Sequence, residues 1–303
     1  MKILLATDGS DTARAAVDFL VGFPLPPESE VMVMTVIKEV LYSEQLQQLT
    51  KEQREEFDSA RADAEAEVRQ LLGEEARRLR QAGLVADSRV CSGPPAEEIV
   101  RLASESQCEL IVVGSHGLGG ARRFLLGSVS DRVFEYAPCS VLIVKQPGVA
   151  GENYPAADEK WRFLLAYDDS LPAKKAVELC ASLPLQSRAE IKAITVLPMI
   201  RMYRQDIRQR LSWIWQEKKR GAEVALQWAA AELADRKISV DTELIEEPSA
   251  PQAILDAATA FSSDLVVVGH KGKNVFERFL LGSVTARIAH HADCSVLSVR
   301  DRP

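Results

Sequence analysis

The sequence predicts two tandem α/β domains, each a doubly wound parallel sheet with helices on both faces. Three observations carry that reading. The string RFLLGSV stands at Arg123–Val129 and again at Arg278–Val284, 155 positions later. Short runs rich in Val, Ile and Leu alternate with stretches whose apolar residues recur at helical spacing, the pattern of strands joined by crossover helices. Between the copies, Gln146–Lys160 (QPGVAGENYPAADEK) has the proline, glycine, asparagine and acidic residues of a linker.

Taken in order, strands are read at Ile3–Ala6, Val31–Ile37, Val85–Cys91, Leu110–Val113 and Ser140–Val144, each short and bounded by turn residues. Helices are read at Asp11–Val21, Ser43–Gln81, Ala96–Gln107 and Ser128–Tyr136. The long one interleaves Glu with Arg and Lys, a solvated amphipathic helix with a break expected near Asp58. Copy two repeats the scheme: LIVVGSHGLGGARRFLLGSV at Leu110–Val129 meets LVVVGHKGKNVFERFLLGSV at Leu265–Val284. A second register, offset by 160, pairs KILLATDGS at Lys2–Ser10 with RFLLAYDDS at Arg162–Ser170, and TVI at Thr35 with TVL at Thr195. The five-residue difference between registers falls in the polar middle of each copy, where it changes a helix or loop without touching a core. A period this long means duplicated domains and not a solenoid. The limits follow as residues 1–146, a linker at 147–160, and residues 161–303.

Composition excludes several classes. A net charge of -7 argues against a dedicated nucleic-acid surface, which needs clustered Lys and Arg. Met1–Ala6 meets Asp8 too soon for a signal peptide, and no apolar run is long enough to span a bilayer, so a cytoplasmic protein away from membranes is expected. Five cysteines with no CxxC pair read as reduced thiols; Cys139 and Cys294 stand at equivalent strand entries and read as packing residues. The four histidines show no metal-ligand spacing.

In doubly wound sheets ligands bind beyond the carboxyl ends of the strands. After the fourth strand, copy one reads Gly114, two residues, Gly117, nine residues, then Gly127-Ser128. Copy two keeps the same spacing with Gly269, Gly272, Gly282 and Ser283 while many residues between them change. Glycines let backbone amides approach an anion, and each Gly-Ser opens a helix, whose amino end attracts phosphate. The alternative is that Ser128 and Ser283 are N-caps and the glycines only turn the chain. No GxxxxGK[ST] loop, no GxGxxG after the first strand and no GxSxG elbow occurs.

These residues, with TDGS at Thr7–Ser10 and SGPPAEEI at Ser92–Ile99, make the chain resemble a tandem member of the universal stress protein family along nearly all of both halves. The resemblance implies Rossmann-like or flavodoxin-like domains with strand order 3-2-1-4-5, paired internally through the last strands, Ser140–Val144 and Ser295–Val299, with a further homodimer of chains as an expectation. It implies ATP or another adenine nucleotide, with Mg2+, and a regulatory stress-response role. By that resemblance Thr7, Asp8 and Val36, then Asp168 and Val196, hold ribose and adenine. Gly114, Ser115, His116, Gly117, Gly127, Ser128 and Val129 hold phosphates in copy one, and Gly269, Lys271, Gly272, Gly282, Ser283 and Val284 in copy two.

Copy two departs from the pattern. Asp169 replaces Gly9, which places a carboxylate beside the expected nucleotide edge, and Pro248 replaces the turn glycine Gly93. Lys271 and Lys273 offset this by adding positive charge to the loop. Arg123 and Arg278 are read as loop anchors or phosphate contacts, and Phe124, Leu125 and Leu126 as a plug beneath the loop or a subunit contact. His116 and His270 are read as loop residues or phosphate contacts, His290 and His291 as surface or interface residues. Trp213, Trp215 and Trp228 are expected to pack on the sheet, an exposed pair among them marking an interface instead. No nucleophile, base and orienting group converge, so no catalytic residue is assigned. A nucleotide-free interaction module and a slow ATPase stay open as alternatives.

Overall fold

Chain order alternates strand and helix throughout the computed structural model, which describes residues 1–37, 49–117, 126–146, 154–155, 159–198, 212–272 and 282–301. Copy one comprises β1 (Lys2–Ala6), α1 (Asp11–Gly22), β2 (Glu30–Ile37), α2 (Lys51–Gln81), β3 (Val85–Ser92), α3 (Pro95–Glu105), β4 (Leu110–Gly114), α4 (Ser128–Tyr136) and β5 (Ser140–Val144). Copy two comprises β6 (Trp161–Ala166), α5 (Leu171–Ser182), β7 (Ala189–Leu197), α6 (Ser212–Ala234), β8 (Ser239–Glu246), α7 (Ala250–Ala260), β9 (Leu265–Gly269), α8 (Ser283–His291) and β10 (Ser295–Val299).

Each copy has the parallel order 3-2-1-4-5, and the two join edge to edge. The result is one ten-stranded sheet, β3-β2-β1-β4-β5-β10-β9-β6-β7-β8. The joint is antiparallel, with Val141, Leu142 and Ile143 opposite Ser298, Leu297 and Val296. Pairing the last strands removes the two edges that separate domains would expose. One face carries a core that runs through both copies, from Ile3 and Phe19 to Phe163 and Val299. The other face carries two cores, one per copy.

Polar caps reinforce the seam. Lys145 N donates to Ser295 Oγ at 3.2 Å, and its repeat equivalent Arg300 N donates to Ser140 Oγ at 3.2 Å. The Lys145 ammonium donates to Ala292 O, while the Arg300 guanidinium donates to Phe134 O and Glu135 O at 2.9 and 2.7 Å. Each cation therefore caps the carboxyl end of the other copy's last helix, where the macrodipole favours positive charge. His290 Nε2 meets Asp131 Oδ1 at 3.1 Å across the same seam, which makes it an interface residue.

Two expectations are corrected. The long helix is continuous through Asp58, because the Thr50/Gln53 capping box starts it and the pairs Arg61–Glu65 and Glu65–Arg69 brace it. Trp213 stays 68% exposed instead of packing on the sheet, Trp228 is 37% exposed while stacking on the buried Tyr167 just beyond β6, and Trp215 Nε1 donates to Glu246 Oε2 at 3.1 Å. Only Leu226, Ala229 and Leu233, in the second half of α6, are buried. A helix of 23 residues spans about 35 Å and its neighbouring strand of eight about 27 Å, so about five residues at its start, Trp213 among them, overhang. The buried indole is Trp161, 0% exposed at the linker's end, edge-on to Phe19 and Phe23. The linker is likewise more than a tether: Tyr154 stacks on Trp161 and donates to Lys145 O at 2.8 Å. All five cysteines are free, four buried and Cys294 partly so.

Candidate functional site

The strand order reverses between β1 and β4, so the crevice opens there at the carboxyl edge, and the turn after β1 forms its first wall. Thr7 is buried, its Oγ1 accepting from Gly9 N at 3.2 Å and its carbonyl accepting from Thr35 Oγ1. Asp8 is exposed, and its Oδ1 accepts from Ser10 N at 3.0 Å, which closes the turn. Ser10 then caps α1, accepting from Ala13 N at 3.3 Å. Copy two repeats the device through Thr195 Oγ1 to Tyr167 O at 2.8 Å, Ser170 N to Asp168 Oδ1 at 3.0 Å, and the Ser170 cap on Ala173. Val36 and Val196 stand half-buried near the carboxyl ends of β2 and β7, one strand over.

The segment after β4 forms the facing wall, and its glycines serve different ends. A Cβ on Gly114 would lie 2.8 Å from the Thr12 backbone, and one on Gly269 would lie 2.8 Å from Ala173 N. These two glycines let the first helix of each copy seat against the sheet. A Cβ on Gly117 would instead fall 2.5 Å from Asp8 Oδ2, and one on Gly272 2.8 Å from Asp168 Oδ2. Those two glycines leave room for the carboxylate at the crevice mouth. Ser10 Oγ and Thr12 Oγ1 donate to His116 O, and Ser170 Oγ donates to Lys271 O, so the two walls are tied together.

Gly127 N donates to Ser115 O at 2.8 Å and Gly282 N to His270 O at 3.1 Å, folding each loop back onto its strand. Gly127 and Gly282 are themselves the N-caps of α4 and α8, and neither cap carries a side-chain hydrogen bond. Ser128 and Ser283 are first-turn residues with exposed side chains, which answers the N-cap alternative. By contrast α1, α2, α5 and α7 are closed by Ser10, Thr50, Ser170 and Ser249. The amino ends of α4 and α8 thus present backbone N–H groups to an incoming anion. Val129 and Val284 pack half-buried on their copies' cores.

Two residues missed in the sequence hold this geometry. Ser130 Oγ donates to Gly114 O at 2.6 Å, and Thr285 Oγ1 to Gly269 O at 2.8 Å. A small hydroxyl residue recurs there, three places after the last loop glycine, and the aligned copies display it. Arg123, Phe124, Leu125, Lys273 and Arg278 lie outside the described residues; Leu126 is half-buried on copy one's core.

Copy two differs in detail. Asp169 takes the left-handed backbone of Gly9, φ 60° against 76°. Its carboxylate accepts from Tyr167 OH at 3.2 Å and pairs with Lys174 Nζ at 3.1 Å, and Lys174 lies 5.7 Å over Trp228. The expected intrusion at the nucleotide edge is therefore corrected: the Gly9 side-chain direction points at Leu71 of the long helix, and Asp169 engages α5 and the α6 side. Burial and then Asp169 push the Tyr167 phenol above its usual range. The β8–α7 turn differs as well: Gly93 holds φ 134°, which proline cannot adopt, and copy two instead caps α7 with Ser249.

Ser115 and His116 differ from their counterparts in surroundings. Ser115 is buried, its N donating to Val144 O at 2.8 Å and its Oγ 3.1 Å from His116 Nδ1. His270, at the Ser115 position, is 4% exposed with Nδ1 3.2 Å from Ser298 Oγ and its ring edge-on to Phe134 of the other copy. Burial, then Arg300 and Lys271, lower it to about 3, so of the two readings, loop residue or phosphate contact, it is a neutral residue packed at the seam. Among the described residues no group of three or more His, Cys, Asp or Glu could hold a metal ion, and no helix is long and apolar enough to cross a membrane.

Two loops of equal spacing at equivalent crevices match a known pattern. The universal stress protein family model covers residues 1–145 and again 162–300. The chain belongs to the universal stress protein family. A universal stress protein of Mycolicibacterium smegmatis is 27% identical over 304 residues, covering 99% of this chain and 97% of that one. The single-domain universal stress protein YxiE of Bacillus subtilis is 32% identical over 145 residues, 48% of this chain and 98% of its own. Among solved structures, a universal stress protein from Archaeoglobus fulgidus superposes with TM-score 0.64 at 22% identity, covering 99% of this chain and 96% of that chain, a match of fold.

Proposed function

We propose that this universal stress protein binds an adenine nucleotide, ATP or a related adenylate with Mg2+, in the crevice of copy one, and that occupancy governs its stability or its contacts with other molecules. The observation that carries the reading is the pairing of Asp8 with Gly117, where a side chain would collide with the carboxylate, facing an uncapped helix amino end. Asp8 would accept from the ribose hydroxyls, the α4 amides and Ser128 would meet phosphate, and Val36 would pack on the base. A divalent ion would neutralise phosphate charge there. Copy two offers the same frame with Asp168, Gly272 and Ser283, so a second nucleotide is part of the proposal.

The protein acts in the cytoplasm, as a homodimer of chains and without nucleic acid, in this reading. Domain limits of 1–146 and 161–303 belong to the same proposal. Its action is regulatory, through preferential binding to one state.

Calorimetry with ATP and Mg2+, together with mass spectrometry of small molecules released from the purified chain, tests it. Saturable binding that is lost in Gly127→Ala/Ser128→Ala supports the crevice. Absence of both binding and a co-purified adenylate would leave an interaction module in its place. A slow ATPase would show as phosphate release that disappears with Asp8→Asn.

A further inference from the structure

The duplication makes each copy a control for the other, and the comparison singles out one cavity. At the amino edge of copy two's strands, between α7 and α8, lies a cleft of about 1020 Å3 reaching across the seam to Lys145. The corresponding hollow in copy one, beside Lys2 and Cys108, measures about 480 Å3. The cation at each seam differs accordingly. In copy one the guanidinium of Arg300 occupies two helix-end carbonyls, whereas in copy two Lys145 reaches a single carbonyl with a slimmer ammonium.

The walls also become polar. Ser263, His291 and Asp293 stand where copy one has Cys108, Tyr136 and Pro138. Ser263 lines the cleft with its backbone side, its Oγ being shut off from solvent. The acids are largely committed: Asp264 Oδ2 accepts from Arg162 N at 2.7 Å, and Asp256 Oδ1 from Gln252 Nε2 at 2.8 Å. The guanidiniums of Arg162 and Arg287 are exposed on the cleft and form no hydrogen bond or ion pair with a described residue. Asp293, exposed near Lys145, is the acid without a hydrogen bond to a described residue, so the uncommitted groups are two guanidiniums against one carboxylate.

We propose that this cleft binds a small oxyanion, a metabolite bearing phosphate or carboxylate, with Arg162 and Arg287 as its charged clamps and Lys145 as its contact at the seam. Planar guanidiniums match both oxyanions with paired hydrogen bonds. Burial holds the Lys145 ammonium down at about 8, and a bound anion offsets that desolvation. The site is separate from the nucleotide crevices and stands whether or not they bind.

Titration of the full chain with inorganic phosphate, and separately with citrate, tests the site by calorimetry. Saturable binding is expected, weakened about tenfold or more by Arg162→Gln/Arg287→Gln. The equivalent pair in copy one, Lys2→Gln/Arg132→Gln, leaves it unchanged. Both arginines are exposed, so the variant folds, and its thermal unfolding verifies this. A response to phosphate alone marks a phosphorylated ligand, and one to citrate alone a carboxylate. No saturable binding at millimolar probe, or equal affinity in the arginine variant, would overturn the proposal.

Discussion

Substituting alanine at Gly114 and at Gly117 separates a packing glycine from a binding glycine. At Gly117 the added methyl falls 2.5 Å from Asp8 Oδ2 and 3.7 Å from its Cγ, so the carboxylate must swing aside by about 1 Å to reach ordinary contact. Asp8 is an exposed side chain on a closed turn, and Gly117 is not among the positive-φ residues, so folding should change by less than about 0.5 kcal/mol. The carboxylate moved is the one proposed to hold the ribose. Losing one charge-assisted hydrogen bond costs about 1.5–3 kcal/mol, a ten- to hundredfold weaker Kd for ATP. At Gly114 the methyl meets the carbonyl carbon and oxygen of Thr12 at 2.8 Å, backbone that cannot swing away, and overpacking of this kind costs about 1–3 kcal/mol of stability. Calorimetry with ATP and urea unfolding of both variants form the assay. Unchanged affinity in Gly117→Ala, or an unchanged unfolding midpoint in Gly114→Ala, would refute the reasoning. Adding Gly272→Ala shows whether copy two contributes a second bound nucleotide.

Three further outcomes follow from the same contacts. Trp161→Ala removes a fully buried indole from the aromatic group that joins the copies and should cost about 3–5 kcal/mol in chemical denaturation. Trp161→Phe should cost less, because the indole N–H it deletes is buried without an acceptor. Thr195→Val keeps the shape but strips the hydrogen bond to Tyr167 O, with an expected loss of about 1 kcal/mol in the same measurement. His270 sits near 3 in the folded chain against 6.5 ordinarily, so the unfolded chain binds the extra proton between those values. Stability therefore falls as pH drops from 6.5 towards 3, by up to about 1.4 kcal/mol per pH unit, and His270→Ser should flatten that slope in acid titrations.

Strands were legible because buried parallel strands are short apolar runs, and the crevice was legible because its glycines recur at fixed spacing. Spacing alone could not divide Gly114 from Gly117, since both read as permissive backbone and only the neighbouring atoms give them separate duties. The threonines of TVI and TVL align in the sequence, yet that alignment does not show their hydroxyls reaching back to the carbonyls at Thr7 and Tyr167. Tryptophan placement failed at Trp213. Hydrophobicity says that an indole prefers burial, whereas the length of α6 relative to its strand decides which of its turns has a sheet beneath it. The burial of Trp161 was not legible, because its partners, Phe19 and Phe23, are far away in the chain.

The seam shows what fusing two copies makes available. In a symmetric dimer of identical chains every cross-axis pair occurs twice with the same residues. Here the pair made by Phe134 and His270 is answered by Ala289, which packs into copy one's core, and by Ser115. Arg300 is answered by Lys145, with two carbonyl contacts against one. A single chain can therefore make one half of the seam tight and leave the other half hollow and polar without altering the shared strand pairing. Because Ser115 N donates to the carbonyl of Val144 and His270 N to that of Val299, each glycine-bearing segment after β4 and β9 starts one residue from the cation that caps the opposite copy. Divergence at Lys145 and Arg300 thus changes the seam and the surroundings of the two crevices together, so the two copies are expected to be unequal in affinity even where their glycines are the same.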